Sequence, residues 1–158
     1  MQGMMKRLKL TVNETKTHVC RVPEESFDFL GYTIGRCWSP ATGRAYIGTR
    51  PARKRIQRIC HEISEETSTR WLLTAVEDRI SRLNRKMVGW ANYFRLGPVS
   101  KAYRAVDAHA RLRLRQWLRR KHKASGPNKT RYSDEYLYEQ LGLVRLEVRT
   151  RNLPWAKV

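Results

Sequence analysis

The sequence predicts an α+β fold, mainly α, in which a small N-terminal β-hairpin region precedes a helical bundle. Three observations carry this. The run "FDFLGYTIG" (residues 27–35) is aromatic and β-branched, with Gly31 and Gly35 inside it, a composition that fits strands joined by turns. From residue 51 onward the apolar residues recur at helical spacing. With 158 residues the chain is also long enough to bury one real core.

Taken in order, "HVCRV" (residues 18–22) alternates as a strand does, and "SPATGRAYIG" (residues 39–48) supplies Pro40 and Gly43 for a turn and a short return strand. Pro51 suits the first turn of a helix whose stripe is Ile56, Ile59 and Ile63. Thr74, Ala75, Val76 and Glu77 have the form of a capping box. Val76, Ile80, Leu83, Met87, Trp90 and Phe94 follow it within about 80° of arc, so Trp90 and Phe94 are core rings. Gly97 and Pro98 end that helix. A third helix is expected from Ser100 as N-cap to about Lys123, with Ala102, Val106, Ala110, Leu114 and Trp117 inward. Residues 124–133 read as a loop, Ser133 as the cap of a short helix closed by Gly142, and residues 143–158 as a strand or an extended segment held by Trp155.

Charge is what sets this chain apart. It carries 33 Lys and Arg against 14 Asp and Glu, a net charge of +19, whose self-repulsion a polyanionic partner relieves. Apolar runs of only a few residues, with no secretory leader after "MQGMMKR", point to a cytoplasmic protein and away from a membrane. Cys20, Cys37 and Cys60 lie far apart and read as reduced thiols; no metal site is expected, since neighbours such as Cys60 and His61 diverge by about 100° on a helix. No paired-acid motif, phosphate loop or nucleophile elbow occurs, and His18, His61, His109 and His122 are scattered.

Two basic faces are expected to hold nucleic acid. On the second helix Tyr93 points away from the core, beside Arg79, Arg82 and Lys86, as a ring next to a cationic ladder. On the third, Arg104, Arg111, Arg115 and Arg119 form a stripe about four turns long in a helix whose single acid between Lys101 and Lys123 is Asp107. Arg113 projects toward the apolar side, where it must snorkel, pair or reach the ligand from the other flank.

Three segments in this order, "LKLTVNETKT" (residues 8–17), "FDFLGYT" (residues 27–33) and "GWANYFRLG" followed by "VDAHARLRLRQWLRRK" (residues 89–97 and 106–121), resemble the C-terminal part of bacterial group II intron reverse transcriptase/maturases. The resemblance implies the end of a polymerase palm over residues 1–49 and a helical maturase-specific domain, acting as the thumb, over residues 50–158. It makes Lys16 the palm lysine that assists departure of pyrophosphate, and Phe29, Leu30 and Gly31 the primer-grip turn; Lys9 departs from the glycine usual before the leucine. Its implied partners are structured intron RNA or an RNA/DNA template–primer duplex, bound in support of splicing and cDNA synthesis. The family's Tyr-x-Asp-Asp motif and C-terminal His-Asn-His nuclease do not occur in these residues. The expectation is therefore a truncated product or excised thumb with no cofactor of its own and no activity alone, Mg2+ belonging to the full-length family enzyme. Two alternatives stand beside it: a general basic architectural protein, or half of an active polymerase completed in trans by an upstream reverse-transcriptase half.

Overall fold

The structure, a computed structural model, describes residues 20–39, 42–124 and 131–153. As expected, a small antiparallel sheet leads into a mainly helical body. Its strands β1 (Phe27–Phe29), β2 (Tyr32–Trp38) and β3 (Ala45–Pro51) lie side by side in chain order. Leu30 and Gly31 form the two-residue turn between β1 and β2, at φ 48° and 86°, the pair of positive values that matches hairpin twist. β3 pairs with β2 from Pro51 opposite Tyr32 to Ala45 opposite Trp38.

Two sequence expectations change here. Pro51 closes β3 rather than opening a helix; the end of a strand needs no donor from it, and the next amide, Ala52, donates to Gly31 O at 2.9 Å. Of the strand expected at residues 18–22, the described part is an irregular start and a turn. Pro23 lacks a ladder donor, while the Arg21 amide donates to the Glu25 carboxylate at 3.0 Å and the Glu25 amide returns to Arg21 O at 2.8 Å. Pro40 lies outside the described residues.

Helices α1 (Arg53–Glu66), α2 (Val76–Tyr93) and α3 (Ser100–Lys121) surround one core. The expected stripes meet in it: Ile59 and Ile63 from α1, Ile80, Leu83 and Met87 from α2, and Val106, Ala110, Leu114 and Trp117 from α3 are all buried. Each large aliphatic side chain so buried stabilises the fold by roughly 1.5–3 kcal/mol. Phe94 is buried and the half-buried Trp90 packs on it, ring centroids 5.0 Å apart. Tyr103 caps the end of α2 by donating to Ala91 O at 2.8 Å and Phe94 O at 3.1 Å, carbonyls that have no partner within the helix.

Helix starts are less regular than the sequence suggests. The Thr74 hydroxyl donates to Trp71 O at 2.7 Å, so the capping box does not form and Ala75 stands at the N-cap without a side-chain bond. Ser100 is the first residue of α3, with Val99 at its N-cap, and the helix ends at Lys121. Of the expected loop at 124–133, residues 125–130 lie outside the described residues. Ser133 does cap as expected, its hydroxyl accepting the Tyr136 amide at 3.1 Å, but the turns that follow, Tyr136–Gln140, are π-helical.

The tail is the clearest departure. Instead of a strand, the chain forms a short helix α4 (Leu146–Arg149) and a 3-10 turn (Thr150–Asn152); Trp155 is outside the described residues. Asp107 on α3 explains the choice. Its buried carboxylate accepts the Leu146 amide at 3.0 Å and the Glu147 amide at 2.9 Å, two of the donors that a helix start leaves unpaired. Leu143, Leu146 and Thr150, spaced i, i+3, i+7, are the buried residues of this segment, a helical period beneath the alternating pattern.

Asp107→Ala is therefore expected to destabilise the protein by about 1–3 kcal/mol in urea unfolding, since it leaves those amides without an acceptor. Hydrogen exchange at Leu146 and Glu147 should accelerate first; unchanged exchange there would remove Asp107 from this role.

Candidate nucleic-acid interface

Sequence phase placed four arginines on α3 in one uncompensated stripe, and the structure corrects this. Arg111 Nη1 lies 2.8 Å from Asp134 Oδ2, Arg115 pairs with the other oxygen of the same carboxylate, and Arg115 Nε donates to Tyr132 O at 2.7 Å. The segment after residue 130 packs beside α3 through the buried Tyr132 and Leu137 and brings the acid that local spacing could not reveal. Arg104 is exposed, 4.0 Å from Glu147, and Arg119 is exposed with Nε donating to Ala124 O at 3.3 Å. Arg113 takes the interior option: it donates to Ser64 O at 3.2 Å and Thr67 Oγ1 at 3.3 Å, a cation at the C-terminal end of α1, where the helix dipole favours one.

On α2 the expected ladder splits. Arg79 is not on the surface; it is 2% exposed, donates to Glu66 at 2.7 Å, and its guanidinium lies 4.2 Å from the Trp71 ring centre. The segment following α1 covers that edge of α2. Arg82 is exposed with no acidic partner among the described residues. Lys86 reaches Glu66 at 3.1 Å yet keeps about a third of its side chain exposed, and Tyr93 remains 56% exposed.

Lys86 and Tyr93 belong to something the sequence did not display, a groove of about 490 Å³ between α1 and α2. Its walls carry Arg55 and Arg58 from α1 and Arg85 and Lys86 from α2, with Glu62 the one acid among the lining residues. Arg58 is paired with Glu62 at 3.2 Å, whereas Arg85 is exposed and has no acidic partner among the described residues. The signal was present but divided: Arg55, Arg58 and Glu62 stand at i, i+3, i+7 on one helix, and Arg85, Gly89 and Tyr93 at i, i+4, i+8 on the other. Neither half is remarkable in isolation. Gly89 leaves the middle of the groove open, since a Cβ there would meet nothing within 4 Å.

The groove ends at the Leu30–Gly31 turn, which two tyrosines hold in place. Tyr32 donates to Tyr93 O at 2.6 Å, and Tyr93 donates to Leu30 O at 2.8 Å. The rings stack with centroids 6.2 Å apart, and Phe94 supports both. Tyr93, expected to stand free beside the cations, is thus also a tie between α2 and the hairpin. Gly97 completes the junction: at φ 73° it lies so close to β3 that a Cβ would fall 2.0 Å from Thr49 O. Phe29 and Leu30 therefore form an exposed hairpin tip at the mouth of a basic groove, while Gly31, beside them in the turn, is buried against Arg55 and Phe94. Lys16 lies outside the described residues.

Other chemistry finds less support. Ser64 Oγ lies 2.9 Å from His109 Nε2 and donates to Cys60 O at 3.0 Å. Burial holds His109 below its ordinary pKa, and neither group reaches a carboxylate among the described residues. No three His, Cys, Asp or Glu side chains among the described residues are grouped to hold a metal. Among the same residues no helix is long and apolar enough to cross a membrane.

Residues 56–136, just over half of the chain, match the family model described as "Group II intron, maturase-specific domain". The match covers α1 from Ile56 onward, all of α2 and α3, and Tyr136, the first residue of the π-helical turn. A comparison with curated proteins finds no match.

The Asp134 pairs carry a pH signature. Burial works against its charge, but the Arg115 and Arg111 guanidiniums outweigh that and hold its carboxyl below 3.8. A depressed carboxylate contributes stability above its unfolded pKa and loses it as pH falls through the folded value. Melting temperature should therefore drop as pH is lowered below 3.8, and Asp134→Asn, already less stable at neutral pH, should lose less over the same range. Parallel acid titrations of the two proteins would count against this pairing.

Proposed function

The chain belongs to the family of group II intron maturase-specific domains, and from that membership we propose that it binds the folded RNA of a group II intron along the groove between α1 and α2. The observation that carries the proposal is the pairing pattern. Most acids near the helices are engaged in interior or local bonds, whereas Arg85 in the groove wall, and the exposed Arg82 one turn before it on α2 and outside the lining, have no acidic partner among the described residues. Unpaired cations in and beside a groove supply the sequence-independent part of nucleic-acid affinity, and their spacing suits recognition of helical RNA by its phosphates and shape. In this reading Arg55, Arg58, Arg82, Arg85 and Lys86 neutralise phosphates. Tyr93, fixed by its hydroxyl, offers part of its ring to a neighbouring base or sugar.

Binding of this kind stabilises a folded intron for splicing, whose chemistry is the RNA's own, and its setting is the cytoplasm where the transcript is made. A second ligand is favoured by one placement. The groove runs to the Leu30 turn, where the resemblance puts a primer grip, so a template–primer duplex follows the same path when an upstream reverse-transcriptase half is supplied in trans. The arginines of α3 contribute differently from their sequence reading: Arg104 and Arg119 remain available at the surface, while Arg111 and Arg115 chiefly hold the C-terminal segment.

Replacing Arg82 and Arg85 together by Gln should make the plot of log K against log[salt] shallower by about 1.8 on duplex RNA, at about 0.9 per phosphate contact. The same change at Arg111 and Arg115 should lower thermal stability and leave the slope nearly intact. If instead the α3 pair alters the slope and the α2 pair does not, the RNA lies on α3 and the groove is not its site.

The chain contains no Tyr-x-Asp-Asp motif, and two-metal phosphoryl transfer needs such carboxylates. The pure protein is therefore expected to leave a template-bound primer unextended with Mg2+ or Mn2+; template-directed incorporation would reassign it as a polymerase.

A further inference from the structure

On a separate surface, where β2 and β3 approach the start of α3, lies a second groove of about 520 Å³, within the roughly 300–1,000 Å³ typical of ligand sites. Trp38 is at its edge and is 62% exposed, a large ring for a protein surface. Its cross-strand partner is Ala45, too small to cover it, and the Arg36 guanidinium lies over one face of the ring, 4.9 Å from its centre, a cation placed next to whatever stacks on the rest of the exposed ring.

Every charged residue lining this groove is a cation: Arg36, Arg50 and Lys101. None has an acidic partner among the described residues, and Arg36, Arg50 and Lys101 are all exposed. Ile56 and Pro98 give the remainder an apolar character. A flat exposed ring, unpaired cations and no carboxylate together complement a ligand with an aromatic face and a chain of negative charge. A duplex offers the charge but hides its base faces in the stack; an unpaired strand offers both.

We propose that this groove binds unpaired nucleotides of single-stranded RNA or DNA, a base stacking on Trp38 and the adjoining phosphates held by Arg50 and Lys101. It is a site distinct from the α1–α2 groove and takes a different form of nucleic acid. A protein with both sites grips a structured RNA by a helix and by a neighbouring single-stranded joint.

Fluorescence anisotropy on the full chain tests this with two labelled probes, a single-stranded RNA of about eight nucleotides and an RNA duplex of about 16 base pairs. Trp38→Ala should weaken the single strand about ten-fold and leave the duplex unchanged, while Trp38→Phe should retain most of the affinity. Lys101→Gln, on an exposed helix position, should make the salt dependence for the single strand shallower by about 0.7 and provides a second variant should Trp38→Ala fold poorly. Circular dichroism reports on folding in each case. Unchanged single-strand affinity in Trp38→Ala with unchanged salt slope in Lys101→Gln overturns the proposal, as does binding through Trp38 to anionic vesicles rather than to the oligonucleotide. The Arg82 and Arg85 variants separate the two sites: loss of duplex binding there says nothing about Trp38, and its absence would refute the first groove without touching the second.

Discussion

Tyr32 and Tyr93 each donate a hydroxyl proton to a backbone carbonyl on the other's side of the junction, and the relation between the sheet and the helices depends on this exchange. A single bond of this type contributes only about 0.5–1.5 kcal/mol. Its importance is geometric. The two bonds fix the Leu30–Gly31 turn against the end of α2, with Phe94 packed beneath both rings. On the other side of the hairpin Gly97 brings the α2–α3 connection against Thr49. The hairpin is thereby held at both flanks, and the basic groove acquires a fixed mouth.

The distribution of carboxylates is the second organising fact. With 14 acids for 33 cations, most basic side chains cannot have an acid to themselves, so where the acids go decides where positive potential accumulates. Glu66 serves both Arg79 and Lys86, Asp134 serves both Arg111 and Arg115, and Asp107 serves two amides. These carboxylates tie one segment to another: α1 to α2, α3 to the C-terminal turns. The groove walls and the outer face of the hairpin are left with the surplus charge. Packing and electrostatics are thus solved by the same residues.

Much of the fold was legible because helical stripes declare themselves locally. The inward faces of α1, α2 and α3 follow directly from the spacing of Ile, Leu, Met and Trp. A stripe says which side faces inward and nothing about what lies across from it. Arg79 sits close enough in phase to the apolar face that a neighbouring segment can bury it, and the acid that meets Arg111 and Arg115 comes from 19 to 23 positions along the chain. The tail was misread for a related reason. Its helix is started by a carboxylate about 40 residues away on α3, a contact without any local trace. The groove itself escaped because each helix contributes half, and half a groove is an ordinary basic face.

Leu30 shows where folding and surface chemistry part company. Its backbone, at φ 48°, is in a region that costs a leucine on the order of 1 kcal/mol, and a side chain 67% exposed recovers little of that by burial. Glycine or asparagine would occupy the same turn with less strain. Any selection acting on stability alone therefore pushes residue 30 toward loss of its apolar side chain, and the leucine at this tip and the robustness of the isolated chain are in direct competition.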